Sequence, residues 1–228
     1  MDDDAKRQAA RAALDEIPAQ GIVGLGTGST ARMFVEGLGA RVRAGGMKII
    51  GVPTSESTRE LAASVGIPLL GDEGPWSIDV NVDGADEVST GALDLIKGGG
   101  AAHTREKIVN FASKRNVIIV DSSKLSPRLG VRWPVPIEVI PFAQGTTRAH
   151  LERLGKPALR AKADGTPVRT DAGNVIYDLA VAPVDDPGAL DRALRAIPGV
   201  VETGLFVGRA DVVIVASDEG VKRLVRDR

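Results

Sequence analysis

The sequence predicts an α/β protein: a parallel sheet with helices on both faces, carrying a smaller α+β segment inserted before its last strand. Three observations predict it. Short apolar runs alternate with helical stretches from Gly21 to Val120. Polar or glycine-rich clusters follow those runs, where an open parallel sheet binds its ligands. From Pro134 the texture changes to strand–helix–strand–strand–helix–strand, the order of a split βαβ unit, before Asp211 to Ala216 resumes the main sheet.

Asp2 to Ile17 reads as a helix with aspartates at its start, where they favour the dipole, and Pro18 at its end. Gly21 to Leu25 is a short buried strand. Gly26-Thr27-Gly28-Ser29-Thr30 then turns into a helix reaching Arg43. Lys48 to Val52 is the next strand, and Ser55 with Thr58 starts a helix to Val65. Ile78 to Val82 is a strand ending in Asp83-Gly84-Ala85-Asp86-Glu87. Leu93 to Ile96 is another, and it feeds the glycine run Lys97-Gly98-Gly99-Gly100 and a helix over 101–114. Asn116 to Val120 ends at Asp121-Ser122-Ser123-Lys124. In the insertion the spacing predicts strands at Ile137 to Ile140, Leu159 to Lys162, Val175 to Leu179 and Val201 to Phe206. Its helices span Gly145 to Leu154 and Pro187 to Ile197. A last helix is expected from Glu219 to Arg226. The expected domains are 1–130 with 207–228, and the inserted 131–206.

Composition narrows the function. The chain has 228 residues, 43% hydrophobic and 26% charged, and carries a net charge of −1. A nucleic-acid partner is disfavoured, since it needs a concentrated basic footprint. The absence of cysteine excludes disulfides, cysteine nucleophiles and thiolate metal sites. His103 and His150 are the only histidines, too few for a histidine-rich zinc site. The acidic start Met1-Asp2-Asp3-Asp4 is unlike a signal peptide, and no apolar run spans a bilayer. The expectation is a soluble cytoplasmic protein.

The polar clusters suggest the chemistry. Glycines at a helix start expose N–H groups to an anion. Lys97 adds a cation beside that concavity, and Glu106 follows on the first turns of the helix. A base next to an anion-stabilising cluster is what proton abstraction beside a carbonyl requires. Gly26 to Thr30 fits neither a dinucleotide fingerprint, lacking the third glycine and the ribose-binding acid, nor a Walker motif, lacking the lysine. It suits one small phosphate or a plain turn. Asp83 and Asp86 suit sugar hydroxyls or proton movement better than magnesium, which needs further oxygen ligands. Lys124 with Ser122 and Ser123 suits an anion. His103 reads as an incidental histidine on the helix surface.

In combination, Gly26 to Thr30, Asp83 to Glu87, Lys97 to Ala102 and Thr104 to Lys107 resemble ribose-5-phosphate isomerase, type A. So do Pro136 to Pro141, Ile197 to Val201 and Gly204 to Phe206. The resemblance runs in order over nearly the whole chain. His103 departs from it, standing where the family pattern has an apolar residue. The resemblance implies a Rossmann-like parallel sheet with an inserted ferredoxin-like domain that takes part in assembly as a homodimer or homotetramer. It implies reversible conversion of ribose 5-phosphate to ribulose 5-phosphate in the pentose phosphate pathway, with no metal or organic cofactor. Glu106 is then the general base, with Asp83, Asp86 and Lys97 catalytic beside it. Thr27, Gly28, Ser29, Thr30, Gly84, Ala85, Gly98, Gly99, Gly100 and Lys124 complete the substrate site. A sugar-phosphate sensor and a sugar-phosphate deaminase are the competing classes. A sensor would need the phosphate loop without the base, and a deaminase would release ammonia.

Overall fold

The computed structural model describes residues 3–226. Met1 and Asp2, the start of the acidic N-terminus and of the expected first helix, lie outside the described residues. Helix α1 (Asp3–Ala13) gives way to a 3-10 turn, Leu14–Glu16, and then come β1 (Gln20–Leu25), α2 (Ser29–Arg43), β2 (Lys48–Pro53) and α3 (Glu56–Ser64). Next are β3 (Val80–Asp83), β4 (Glu87–Ser89), β5 (Leu95–Ile96), α4 (His103–Phe111), β6 (Asn116–Asp121) and β7 (Leu125–Ser126). The chain continues through β8 (Val135–Val139), α5 (Gln144–Leu151), β9 (Lys156–Leu159), β10 (Val175–Ala180) and α6 (Pro187–Arg195). It ends with β11 (Val200–Thr203), β12 (Leu205–Phe206), β13 (Val212–Ser217) and β14 (Gly220–Val225). Asp86–Thr104 and Leu125–Gly208 form one compact unit, the insertion unit; the rest of the described chain forms the main-sheet unit.

The main-sheet unit has six strands in the order β14-β13-β6-β3-β1-β2, all parallel except the β13–β14 pair. Strand residues alternate between faces. Val23, Leu25, Val82, Val117, Ile119 and Ile214 join α1 and α2 in one apolar cluster, where Phe34 and Leu38 are fully buried. Burying each such side chain contributes roughly 1.5–3 kcal/mol. Ile22, one residue out of phase with Val23, packs instead in a cluster with Val109 of α4. Helices therefore cover both faces, as the alternating pattern predicts. Among the described residues no helix is long and apolar enough to cross a membrane.

The insertion unit holds two four-stranded sheets, β11-β8-β10-β9 and β12-β5-β4-β7. The first is antiparallel throughout and carries α5 and α6 in the expected strand–helix–strand–strand–helix–strand order, which makes it ferredoxin-like. Its core gathers Val135, Ile137, Val139, Leu151, Tyr177 and Leu194.

Three expectations are corrected. The last segment is not a helix: β14 pairs antiparallel with β13 from Ser217↔Gly220 to Val212↔Val225. Gly220 at φ 109° closes the tight turn, and the ladder with β13 overrides helical propensity. The run Val201 to Phe206 divides at Gly204. There the Gly204 N–H donates to the Pro136 carbonyl (2.7 Å) and its carbonyl accepts from the Lys97 N–H (2.9 Å), sending β11 and β12 into different sheets. Leu93 to Ile96 yields only β5, because Leu93 turns at φ 53°. β5 pairs antiparallel with β4 and β12, so it is not a strand of the main sheet.

Candidate active site

Strands β1, β2, β3 and β6 lie side by side and run in parallel, so the clusters that follow them share one sheet edge. Gly26 to Thr30 follows β1, and Gly28, at φ 107°, caps α2 without a side-chain hydrogen bond. The Thr27 hydroxyl points inward into a hydroxyl cluster: Thr54 Oγ1 at 2.7 Å, Ser55 Oγ at 2.8 Å and Thr58 Oγ1 at 3.2 Å. Ser55 is also the N-cap of α3, accepting from the Thr58 N–H at 3.1 Å. This cluster braces the loop from beneath. Ser29 is exposed and Thr30 half-buried, at the first turn of α2.

Asp83 ends β3 fully buried. Its Oδ1 accepts from the Thr27 N–H (3.1 Å) and the Gly84 N–H (2.7 Å), tying the β3 loop to the β1 loop. Gly84 and Ala85 follow, both half-buried. Lys124, half-buried, closes the 3-10 turn Ser122–Lys124 after β6. Glu106 lies in the first turn of α4, only 4% exposed. Two residues on, its helix presents Ile108 to solvent at 54%. Arg105 on the same turn reaches Glu56 of α3 at 2.6 Å, and Arg59 reaches it at 3.2 Å. These guanidinium groups, Arg105 foremost, hold the Glu56 carboxyl below its ordinary range.

The other predicted residues belong to the insertion unit. Lys97 follows β5 and is 3% exposed, its ammonium 5.6 Å from the Phe206 ring centroid, in cation–π range. Gly98 to Ala101 form a tight turn: the Ala101 N–H donates to the Gly98 carbonyl (3.0 Å), with φ 112° at Gly98 and 62° at Ala101. The Gly99 N–H donates to Asp86 Oδ2 at 2.7 Å. A Cβ at Gly99 would fall 2.6 Å from Asp86 Oδ1, so only glycine admits this approach. Gly99 and Gly100 are exposed.

The expectation that all five polar clusters follow main-sheet strands is thus corrected. Lys97 to Gly100 follows β5, whose sheet lies in the insertion unit, and the Asp83 to Glu87 segment passes from one unit to the other after Ala85. His103 is also corrected. It is fully buried, and its Nε2 lies 3.3 Å from the Glu202 carbonyl, so it is a packed histidine rather than a surface one.

Thr54 to Thr58, expected as one of the polar clusters at the strand ends, meets the β1 loop through its hydroxyls. Sequence reading misses two participants. Glu138 on β8 is buried (1% exposed) and accepts from the Thr104 hydroxyl just upstream of Glu106. Arg160 donates to the Gly98 and Gly99 carbonyls. Glu138 lies in the Pro136 to Pro141 motif, which gives no sign of its partner, and Arg160 lies in no motif. A cavity of about 490 Å³ in the main-sheet unit, walled by Trp76, Arg59, Arg105 and Ile108, includes none of the predicted site residues.

The fold is that of a Rossmann-like α/β protein with a ferredoxin-like insertion; of the candidate residues, Asp83 and Glu106 are buried in the main-sheet unit and Lys97 in the insertion unit. The family model for ribose 5-phosphate isomerase A (phosphoriboisomerase A) matches residues 50–220. The chain is 46% identical to ribose-5-phosphate isomerase A of Thermomicrobium roseum over 98% of its length and 94% of the relative's. It is 49% identical to that of Methanothermobacter thermautotrophicus over 96% of both. The solved structure of ribose 5-phosphate isomerase A from Methanocaldococcus jannaschii superposes with a TM-score of 0.94 at 40% identity, covering 99% of this chain and all of that one. A D-ribose-5-phosphate isomerase in complex with phospho-erythronic acid matches at 0.95 and 42% identity, with 99% of this chain and 100% of that chain covered. The chain belongs to the ribose 5-phosphate isomerase A family.

Proposed function

We propose that this protein interconverts D-ribose 5-phosphate and D-ribulose 5-phosphate through a cis-enediolate, in the non-oxidative pentose phosphate pathway. The observation that carries the reading is Glu106, a carboxylate buried on the first turn of a helix that follows a lysine and a glycine turn. The phosphorylated sugar acid held by one similar isomerase fits a site of this kind.

In the proposed mechanism Asp83 or Asp86 exchanges protons with the ring oxygen and the anomeric hydroxyl as the sugar opens. Glu106 removes the proton from the second carbon, and charge moves to the first-carbon oxygen. Lys97 and the glycine turn hold that oxyanion. The Ala101 N–H closes the turn and the Gly99 N–H serves Asp86, so the Gly98 and Gly100 N–H groups are the turn's proposed donors to the substrate. Glu106 then returns the proton to the first carbon while the hydroxyl proton passes from the second-carbon oxygen to the first-carbon oxygen, which gives the ketose. The phosphate binds at the Gly28–Ser29–Thr30 helix start with Lys124. The reading needs no metal or organic cofactor. The insertion, residues 131–206, serves assembly as a homodimer or homotetramer, a role supported by exposed Phe142 (83%) and Val201 (39%). The cytoplasm is the compartment that suits this metabolism, and neither nucleic acid nor membrane enters the reading.

The test is a ketose assay on ribose 5-phosphate in EDTA, with wild type and Glu106→Gln side by side. The amide keeps the shape and cannot take the proton. Turnover is expected to fall about 100- to 10,000-fold. Near-normal turnover in the variant would reassign the base, and an inert wild type would remove the isomerase reading.

A further inference from the structure

Arg160, just past β9 in the insertion unit, makes contacts that no motif predicts. Its Nη1 donates to two successive carbonyls of the glycine turn, Gly98 at 2.7 Å and Gly99 at 3.1 Å. Its Nε donates to Asp178 Oδ2 at 2.9 Å, and its Nη2 donates to Oδ1, a two-pronged pair that fixes the plane of the guanidinium. The antiparallel ladder explains why these groups meet. Leu159 pairs with Tyr177, so Arg160 stands opposite Ile176 with Asp178 as its diagonal neighbour on the same face. The Arg160 side chain is 15% exposed and that of Asp178 24%.

The peptide bond is planar and trans, so the carbonyl of one residue points away from the N–H of the next. Gripping the Gly98 carbonyl therefore turns the Gly99 N–H the other way, toward Asp86, where it is found at 2.7 Å. Gripping the Gly99 carbonyl turns the Gly100 N–H away from Arg160 by the same geometry. Glycine peptides otherwise rotate freely, and this turn already holds φ 112° at Gly98. A peptide flip here would point a carbonyl where an oxyanion forms.

We infer that Arg160, held by Asp178, is a positioning residue of the isomerase: it locks two glycine peptides so that their N–H edges face Asp86 and the oxyanion. The inference rests on the isomerase reading. It assigns Arg160 to stabilising the transition state, because the orientation matters most when charge develops on the oxygen.

The experiment is steady-state turnover of ribose 5-phosphate by wild type, Arg160→Ala, Arg160→Lys and Asp178→Asn, with melting temperatures measured in parallel. Misplacement of a catalytic group by about 1 Å can cost on the order of 100-fold. Arg160→Ala is expected to lose kcat on that scale, with KM within about threefold of wild type and a lower melting temperature that still leaves the variant folded at the assay temperature. Millimolar guanidinium added back is expected to restore part of the loss. Arg160→Lys, which cannot present the forked donors, is expected to lose about tenfold, and Asp178→Asn less. A folded Arg160→Ala with wild-type kcat, or a loss confined to KM, overturns the inference. Should Arg160→Ala fail to fold, Arg160→Lys decides by the same kcat criterion, and wild-type kcat in that variant overturns it. An inert wild type overturns the isomerase reading itself, whereas an active wild type with an unimpaired variant overturns only the role of Arg160.

Discussion

Replacing Glu138 with alanine tests how the insertion secures the start of α4. Glu138 sits mid-strand on β8, 1% exposed. Its carboxylate accepts from the Thr104 hydroxyl on one oxygen, and from the Thr170 hydroxyl and the Asn174 amide, both at 2.8 Å, on the other. A hydrogen bond to a charged group is worth about 1.5–3 kcal/mol, so three give about 4.5–9 kcal/mol as a ceiling. Thr104 and Asn174 are half-buried, and water entering the vacated space recovers part of that. We expect Glu138→Ala to lose about 3–5 kcal/mol. For a chain of this length that lowers the melting temperature by roughly 6–20 °C, at about 2–4 °C per kcal/mol. Glu138→Gln keeps one acceptor for Thr170 and Asn174 and offers its NH2 group to the Thr104 oxygen, so it should lose only about 1 kcal/mol. The assay is thermal and urea unfolding followed by circular dichroism, with Thr104→Val added as a double-mutant cycle. If Glu138→Ala melts within about a degree of wild type, or the cycle shows no coupling, the network does not hold the helix start.

Two further predictions concern the main-sheet unit. A Cβ at Gly26 would lie 2.2 Å from Asp83 Oδ1 and 2.6 Å from the Asp83 Cα. Gly26→Ala is therefore expected to force the β1 and β3 loops apart, costing at least 1–3 kcal/mol by overpacking and reducing sugar-phosphate affinity; a variant with wild-type melting and wild-type binding by calorimetry would refute this. Asp79 accepts from the Lys114 ammonium at 2.7 Å and the Ile22 N–H at 2.9 Å, and these bonds, the lysine's first, hold its carboxyl below the ordinary aspartate range. A depressed folded pKa adds stability above the unfolded value of about 4, and that stability is lost as pH falls through the folded value. Asp79→Asn should thus be less stable than wild type at pH 7, the gap closing below about pH 4; a gap in urea midpoint that stays constant on acidification would count against it.

Much of the candidate site is legible because its motifs are local. Glycines that open a helix start, a serine three residues before a threonine, and a carboxylate on the first helical turn each declare their geometry within a few residues. Ser55 caps α3 as its spacing predicts. The same locality explains the misses. Residues 219–226 have acceptable helical composition, and nothing nearby announces that β13 offers them a ladder. His103 reads as a surface residue because its contact, the Glu202 carbonyl, lies 99 residues away.

The sequence by itself determined the alternation of strands and helices, the split βαβ order of the insertion, and the carboxylates, lysine and glycines of the candidate site, since hydrophobic period and backbone preference are written residue by residue. The tertiary structure alone decided that Lys97 to Gly100 follows a strand of the insertion unit, that the Thr27 hydroxyl turns inward, and that Arg160 and Glu138 grip the glycine turn and the helix start. Those partners stand 34 to 62 residues apart in the chain. Strand register and close packing bring them together, and neither leaves a mark in local sequence.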